Sequence, residues 1–228
     1  MNDFDIYELE QTESLSLFQR VIGVITDPTR VYDSLKEKPT FLGVYILTSI
    51  MTIFPLIWNH MDGTTKTMLI DQFQAQGTPV TEELLNITTI STLIGGAIGI
   101  LIMPFIVGLI FHIIVMIQSH TGYKRTLTIT THAAVIGLIN TWLVFIIQKL
   151  TGTTMQFSPA MFLDANSVSP ILYTGLALLN IFTFWGMFVN YTGFKTVHNM
   201  NNKEATITVV TPFILSALFS IGVILLTQ

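Results

Sequence analysis

Long apolar stretches broken by short polar intervals set the pattern of this chain. Between Lys38 and Asp62 lie 23 residues without Asp, Glu, Lys or Arg; between Glu83 and Lys124 lie 40; between Arg125 and Lys149 lie 23. Asp164 and Lys195 bracket 30 more, and the 24 residues after Glu204 carry no charge. A hydrocarbon core of about 30 Å takes about 20 apolar residues of helix to cross. The pattern predicts five transmembrane spans, near 41–59, 90–117, 127–149, 170–191 and 207–227. The apolar part of the second window, 87–117, is too short for two helices and a turn, so it reads as one long helix. Backbone groups in lipid must be satisfied internally, and barrel-type alternation is missing, so the spans are helical. The expected fold is all-α: a polytopic bundle of five transmembrane helices, residues 40–228, preceded by amphipathic juxtamembrane helices.

Residues 14–39 carry those shorter helices, and residues 1–13 read as a disordered acidic lead. Ser14 is placed to cap a helix running through Ile25. Leu15, Leu17, Phe18, Val21, Ile22, Val24 and Ile25 share one half of its wheel, while Ser16, Gln19, Arg20, Gly23 and Thr26 share the other. That split suits a helix in the membrane interface that packs on the bundle. Asp27 caps a second helix with Pro28 at its first position, where a missing N–H is harmless. Val31, Tyr32 and Leu35 face one way along it, and Pro39 closes the segment. The stretch 60–86 holds Met68, Leu69, Ile70 and Phe73, a short helix lying on the membrane; Thr81, Glu82 and Glu83 open the second span. The stretch 150–169 is nearly uncharged and rests on lipid or folds back on the bundle.

Charge sharpens the reading. Only 11% of residues are charged, against about 25% in soluble domains. Ten Lys+Arg and 14 Asp+Glu are too few to coat a soluble globule, and they argue against a nucleic-acid partner. The absence of cysteine excludes disulfides and thiol chemistry. The first 40 residues hold eight acidic and four basic residues, unlike a cleavable secretory signal, so the first span is expected to be an uncleaved anchor. Arg20, Arg30, Lys36, Lys38, Lys124, Arg125, Lys195 and Lys203 fall on one side of the five spans, with Lys66 and Lys149 on the other. The positive-inside rule then puts the N-terminus in the cytoplasm and the C-terminus outside.

Polar and small residues within the spans are the candidates for packing or partner contact. Gly95 and Gly99 form a small-xxx-small pair that permits close helix approach. Pro104 predicts a kink in the second span. His112 and His132 lie at similar depth from the cytoplasmic side and are placed to face each other, while His120 and His198 occupy the two inner loops. Asn140 and Asn180 fall near the middle of spans three and four and are expected to meet each other or a shared water. No His-x-x-x-His or Glu-x-x-His pair lies on one helix, so no metal or other cofactor is expected. Ser/His/Asp sets, intramembrane carboxylate pairs and phosphate loops are missing too, and no catalytic residues are assigned.

Three stretches together resemble the Yip-one domain family, the Ypt-interacting polytopic proteins of bacteria and eukaryotes. In TDPTRVYDSLKEKPTFLGVYIL, Pro28, Val31, Leu35 and Pro39 match a proline-led helix and a second proline before span one. In HTGYKRTLTITTHAAVIGLI, Gly122, Tyr123 and Lys124 match a glycine, aromatic, basic run into span three, without the family's frequent later proline. In FWGMFVNYTGFKTVHNMNNKEATITVV, Trp185, Gly193, Lys195, His198 and Ala205 match the run from span four into span five. The resemblance covers about residues 18–227 and implies five spans with a cytoplasmic N-terminus. Eukaryotic members are linked to Rab-type GTPases and carry a hallmark aspartate-leucine-tyrosine-glycine-proline motif ahead of span one that this chain lacks; a bacterial plasma-membrane protein is the expectation. A bacterial relative is associated with assembly of an ABC-type exporter.

Two functions follow as expectations. The first is a non-catalytic membrane adaptor that supports assembly, stability or trafficking of a membrane protein complex, its partners being the bilayer, that complex and a second copy of the chain. The second is a small permease or channel-like protein with a polar path lined by spans two to four, using His112 and His132.

Overall fold

The computed structural model describes residues 15–164 and 167–227, so Ser14 and the acidic lead lie outside the described residues. The regular structure is helical throughout them. Two short helices, α1 (Leu17–Thr26) and α2 (Pro28–Lys36), precede α3 (Leu42–Met61), α4 (Thr64–Ala75), α5 (Glu82–Ile117) and α6 (Tyr123–Thr151). A 3-10 turn (Pro159–Phe162) leads to α7 (Pro170–Ala177), α8 (Ile181–Val197) and α9 (Asn202–Thr227). Helices α3, α5, α6 and α9 are each long and apolar enough to cross a membrane, and α7 with α8 make a fifth segment bent by 47°. The chain is a polytopic membrane protein.

Local chemistry explains where these elements start. Ser16, not the expected Ser14, caps α1, because it has Gln19 three residues on: its Oγ accepts from Gln19 N–H at 3.3 Å, and Gln19 Oε1 accepts from Ser16 N–H at 2.8 Å. Asp27 caps α2 with Pro28 at its first turn. Thr81 caps α5, as its sequence signal predicts, so this 36-residue helix is about 54 Å long and outreaches the hydrocarbon core.

Span four departs from expectation, because it is broken rather than continuous. Asn180 does not sit in mid-helix; its Oδ1 accepts from Phe182 N–H at 2.8 Å, and Ile181 N–H donates to the Phe157 carbonyl at 3.1 Å. With its own cap and a carbonyl from the segment after α6 satisfying its first donors, α8 begins afresh at a bend.

The core is concentrated at one end of the bundle, the end that holds α1 and α2; we call it the near end. There Val31, Tyr32 and Leu35 of α2 are completely buried against α6 and α8, together with Val115, Ile129, Val189 and Phe194. So α2 is a core element as well as a surface one. Toward the far end most of α5 and α9 is exposed, from Ile87 to Met103 and from Ile214 to Leu226. Lipid tails are as apolar as leucine, so nothing drives those faces together. The far end is tied by Lys149, whose Nζ lies 2.6 Å from Asp62 Oδ2 and 2.8 Å from Thr64 Oγ1. That hydrogen bond from Lys149, joined by one from Thr64, holds the Asp62 carboxyl at about 2.

Prolines inside α3 and α5 free backbone carbonyls that lipid cannot satisfy. Pro55 has no N–H for the Met51 carbonyl, and Trp142 Nε1 of α6 donates to that carbonyl at 3.0 Å. Pro104 removes the donor for the Ile100 carbonyl; one residue after each of these two, Tyr45 Oη donates to Leu101 O at 2.9 Å and Tyr123 Oη to Phe105 O at 3.0 Å, second bonds that tie α5 to α3 and α6 near the proline. Trp142→Phe should therefore lower the stability of the detergent-solubilised protein by about 1–2 kcal/mol. In a Pro55→Ala background the restored backbone N–H bonds Met51 O itself, and the same substitution should cost clearly less. A double-mutant cycle by thermal unfolding checks this; equal costs in both backgrounds would refute the pairing.

Candidate functional site

Five residues from separate segments converge at the near end. His112 Nδ1 of α5 lies 3.2 Å from Thr126 Oγ1 of α6, and the same hydroxyl lies 3.1 Å from Nε2 of His198, which follows α8. The His120 ring sits 6.2 Å from that of His198, and His120 Nε2 is 3.3 Å from Glu204 Oε2 at the start of α9. Glu204 also closes a capping box, accepting from Asn201 N–H at 2.9 Å while its own N–H donates to Asn201 Oδ1 at 3.0 Å. Gln118 Nε2 donates to Thr208 Oγ1 at 2.7 Å, pinning the end of α5 to α9.

Tight turns bring these groups together. Ser119 and Asn199 adopt left-handed conformations with φ of 63° and 53°. Gly122 opens α6 at φ +104°, a conformation glycine adopts without strain. Phe194 stacks on both His198 and Phe111. Burial, reinforced by the nearby positive charges of His120, Arg125 and His112, pushes the His198 imidazole down to about 4. At neutral pH the junction is held by neutral hydrogen bonding around His198. It clamps α5, α6, α8 and α9.

His132 is not part of it, contrary to the expected facing of His112 and His132. It is completely buried on α6; Nδ1 donates to the Thr128 carbonyl at 2.7 Å, and the ring meets Tyr32 edge-on at 6.4 Å. The physical reason is level: His112 meets α6 at Thr126, six residues before His132, and beside His132 it is α2 that packs, with Tyr32 donating from its hydroxyl to Ile129 O at 3.1 Å. Burial raises the Tyr32 phenol above its ordinary range. Gly193 makes room for Tyr32: a Cβ there would lie 2.5 Å from Ile129 Cγ2 and 2.8 Å from the Tyr32 ring.

Two grooves flank α5. One, of about 320 Å³, runs between α3, α5 and α6 and is lined by Thr48, Ser49, Thr52 and Pro104 among others. The second, of about 360 Å³, runs between α5, α6 and α8 and is lined by Asn140, Asn180 and Asn190. They share Val107, Thr130, Ala134 and Gly137, and neither is lined by His112 or His132. Asn140 and Asn180 thus share a groove without bonding each other, because the Asn180 oxygen caps α8. Gly95 and Gly99 are not the intramolecular contact either. A Cβ on them would meet nothing within 4 Å, whereas a Cβ on Gly96 would lie 3.1 Å from Leu56 Cδ2 and one on Gly108 would lie 3.0 Å from Leu127 Cδ1.

The remaining motif positions are dispersed. Pro28 starts α2 and Pro39 lies in the turn before α3. Lys124 and Lys195 are exposed, Lys195 with its Nζ 5.6 Å from the Tyr191 ring. Trp185 is half-buried and stacks on Phe182. Among the described residues no group of three or more His, Asp or Glu is arranged to hold a metal ion. Pattern does not single out Thr126, Glu204 and Asn190, and it places Tyr32 only on the apolar face of α2. The Asn201-x-x-Glu204 spacing was a visible capping signal for one of them; a lone threonine at a helix start carries none.

The family described as "Yip1 domain" matches residues 22–224. Among curated proteins the chain is similar to "Membrane protein YknW" of Bacillus subtilis (strain 168), 23% identical over 213 residues, 92% of this chain and 90% of that protein. No solved structure matches.

Gly193→Ala should destabilise the fold by about 1–3 kcal/mol through overpacking, while Gly95→Ala should leave it unchanged; thermal unfolding in detergent separates them. His198 titrates near 6.5 when unfolded and about 4 when folded, so the unfolded chain binds more protons between those values. Its contribution should be complete above pH 6.5 and lost as pH falls toward 4. Melting temperatures across that range should drop in the wild type and drop less in His198→Gln.

Proposed function

The chain belongs to the Yip1 domain family, and from that premise we propose that it is a non-catalytic membrane adaptor that supports assembly or stability of a membrane protein complex. The observation that carries the reading is the open flank of the bundle. α5 is tied to its neighbours at Gly96 and Gly108, yet it leaves a groove on either side and an apolar face from Ile87 to Met103. A bundle clamped at one end and unfilled along one flank offers a partner helix both a fixed frame and room. The charge asymmetry supports an orientation with the near end and N-terminus in the cytoplasm, and the resemblance to bacterial members supports the plasma membrane. The family resemblance makes an ABC-type exporter the first complex to examine.

The polar lining of the grooves favours the permease reading to a degree, but His112 and His132 lie outside both. Deleting residues 1–38 is no test of docking, since it removes Tyr32 and Leu35 from the core. The test is a photo-crosslinking residue placed singly at Ile98, Ile102, Leu218 or Phe219, all exposed, followed by mild-detergent purification and mass spectrometry. The reading predicts one membrane complex recovered repeatedly, with crosslinks strongest from α5. Absence of any protein crosslink from α5, together with solute flux in reconstituted vesicles, would replace it by the permease.

A further inference from the structure

We infer that the outer face of the α8–α9 hairpin holds an anionic phospholipid of the leaflet at the near end, its phosphate between Lys195 and Lys203; this goes beyond the adaptor reading and does not rest on it. Both lysines are exposed, and among the described residues neither has an acidic partner. Glu204, the acid beside Lys203, is engaged by His120 and by the Asn201 N–H. The Lys195 Nζ lies 5.6 Å from the centre of the Tyr191 ring, and Tyr191 Oη donates to Asn202 Oδ1 at 3.2 Å. That bond ties the end of α8 to the start of α9 and leaves Asn202 Nδ2 to donate to a phosphate oxygen. Two uncompensated cations and a neutral donor, joined through one tyrosine, suit a phosphodiester that carries net negative charge.

Apolar stripes run from both lysines into the membrane. On α8, Phe184, Phe188, Tyr191 and Lys195 follow the spacing i, i+4, i+7, i+11 and fall within about 60° of one another. On α9, Lys203, Ile207, Val210 and Ile214 repeat that spacing in the opposite direction. Phe184, Phe188, Ile207 and Ile214 are all exposed, so both stripes face lipid. Each stripe rises about 16 Å, the depth of one leaflet of a hydrocarbon core about 30 Å thick. At the deep end the Phe184 and Phe213 rings meet at 6.0 Å and join the two helices. An acyl chain along this bed starts at the lysines and ends at that ring pair. Lys124 and Arg125 are exposed at the same end but head no such stripe. The same spacing leads from Lys124 to Thr128, Thr131 and Val135, and from Arg125 to Ile129, His132 and Ile136, all buried. An acidic protein segment would use the lysines without needing a bed one leaflet deep, so the lipid is the better fit.

The test uses the purified full chain in mild detergent with equal amounts of palmitoyl-oleoyl phosphatidylglycerol and phosphatidylcholine. Native mass spectrometry counts the lipids retained. The expected result is about fivefold or greater preference for phosphatidylglycerol. Lys195→Gln/Lys203→Gln should bring retention to parity, with the melting temperature confirming that the variant is folded. Lys124→Gln/Arg125→Gln, which removes two charges from the same end, should keep the preference. Glycerophosphoglycerol, the headgroup without chains, should fail to displace the lipid even in large excess. Equal retention of the two lipids, or a preference that survives Lys195→Gln/Lys203→Gln, would overturn the proposal. So would equal loss in both double variants, which would make the effect one of bulk charge, or displacement by the chainless headgroup. A preference seen only in the Asp3→Asn/Asp5→Asn/Glu8→Gln/Glu10→Gln/Glu13→Gln variant would also overturn it, since the lysines would then be taken by the chain's own acidic segment.

Discussion

In a bilayer core a backbone carbonyl without a donor has no water to turn to, and the structure is organised around that constraint. Pro55 and Pro104 break the internal ladders of α3 and α5. Trp142, Tyr45 and Tyr123 reach across from neighbouring helices to the carbonyls beside the breaks. Each such bond couples two helices, and at Pro55 it falls on the very carbonyl that the proline leaves without a donor. The same constraint shapes span four, where Asn180 and the Phe157 carbonyl satisfy the first donors of a helix that restarts inside the membrane domain.

Packing follows a different rule at each end. At the near end α2 drives Tyr32 and Leu35 into a true core, and Gly193 lets α8 approach closely enough to enclose them. The His112–Thr126–His198 chain and the His120–Glu204 contact then lock the loops that follow α5 and α8. Away from this clamp the apolar faces of α5 and α9 meet lipid, and no hydrophobic gain closes them on each other. A clamped base with an open flank follows from where α2 sits.

Much of this was legible in the sequence. Charge-free windows mark the spans, and Asp27-Pro28 and Thr81 mark helix starts, because these signals are local. The break at Asn180 was not legible: an asparagine in an apolar run reads as a buried polar residue until the partner of its oxygen is seen. Gly95 and Gly99 illustrate the same limit, since spacing shows that a close approach is allowed but not which glycine face turns inward; Gly96 and Gly108 do so. His112 and His132 count to a similar depth in sequence, yet His112 bonds Thr126, six residues nearer the start of α6, while His132 turns to the Thr128 carbonyl and to Tyr32 of α2. Trp142 meeting Met51 depends on helix rotation, which no periodicity fixes.

The chain has no cysteine, so paired spin labels can be placed cleanly. The decisive measurement is the distance distribution of two label pairs in lipid, before and after the native complex is bound. Met116 with Ile207 reports the near end, and Ile98 with Leu218 reports the open flank; all four are exposed. A clamped base with an open flank predicts a narrow near-end distance that binding leaves alone, and a flank distance that narrows or shifts. Two narrow distributions, both unchanged by the complex, would contradict it.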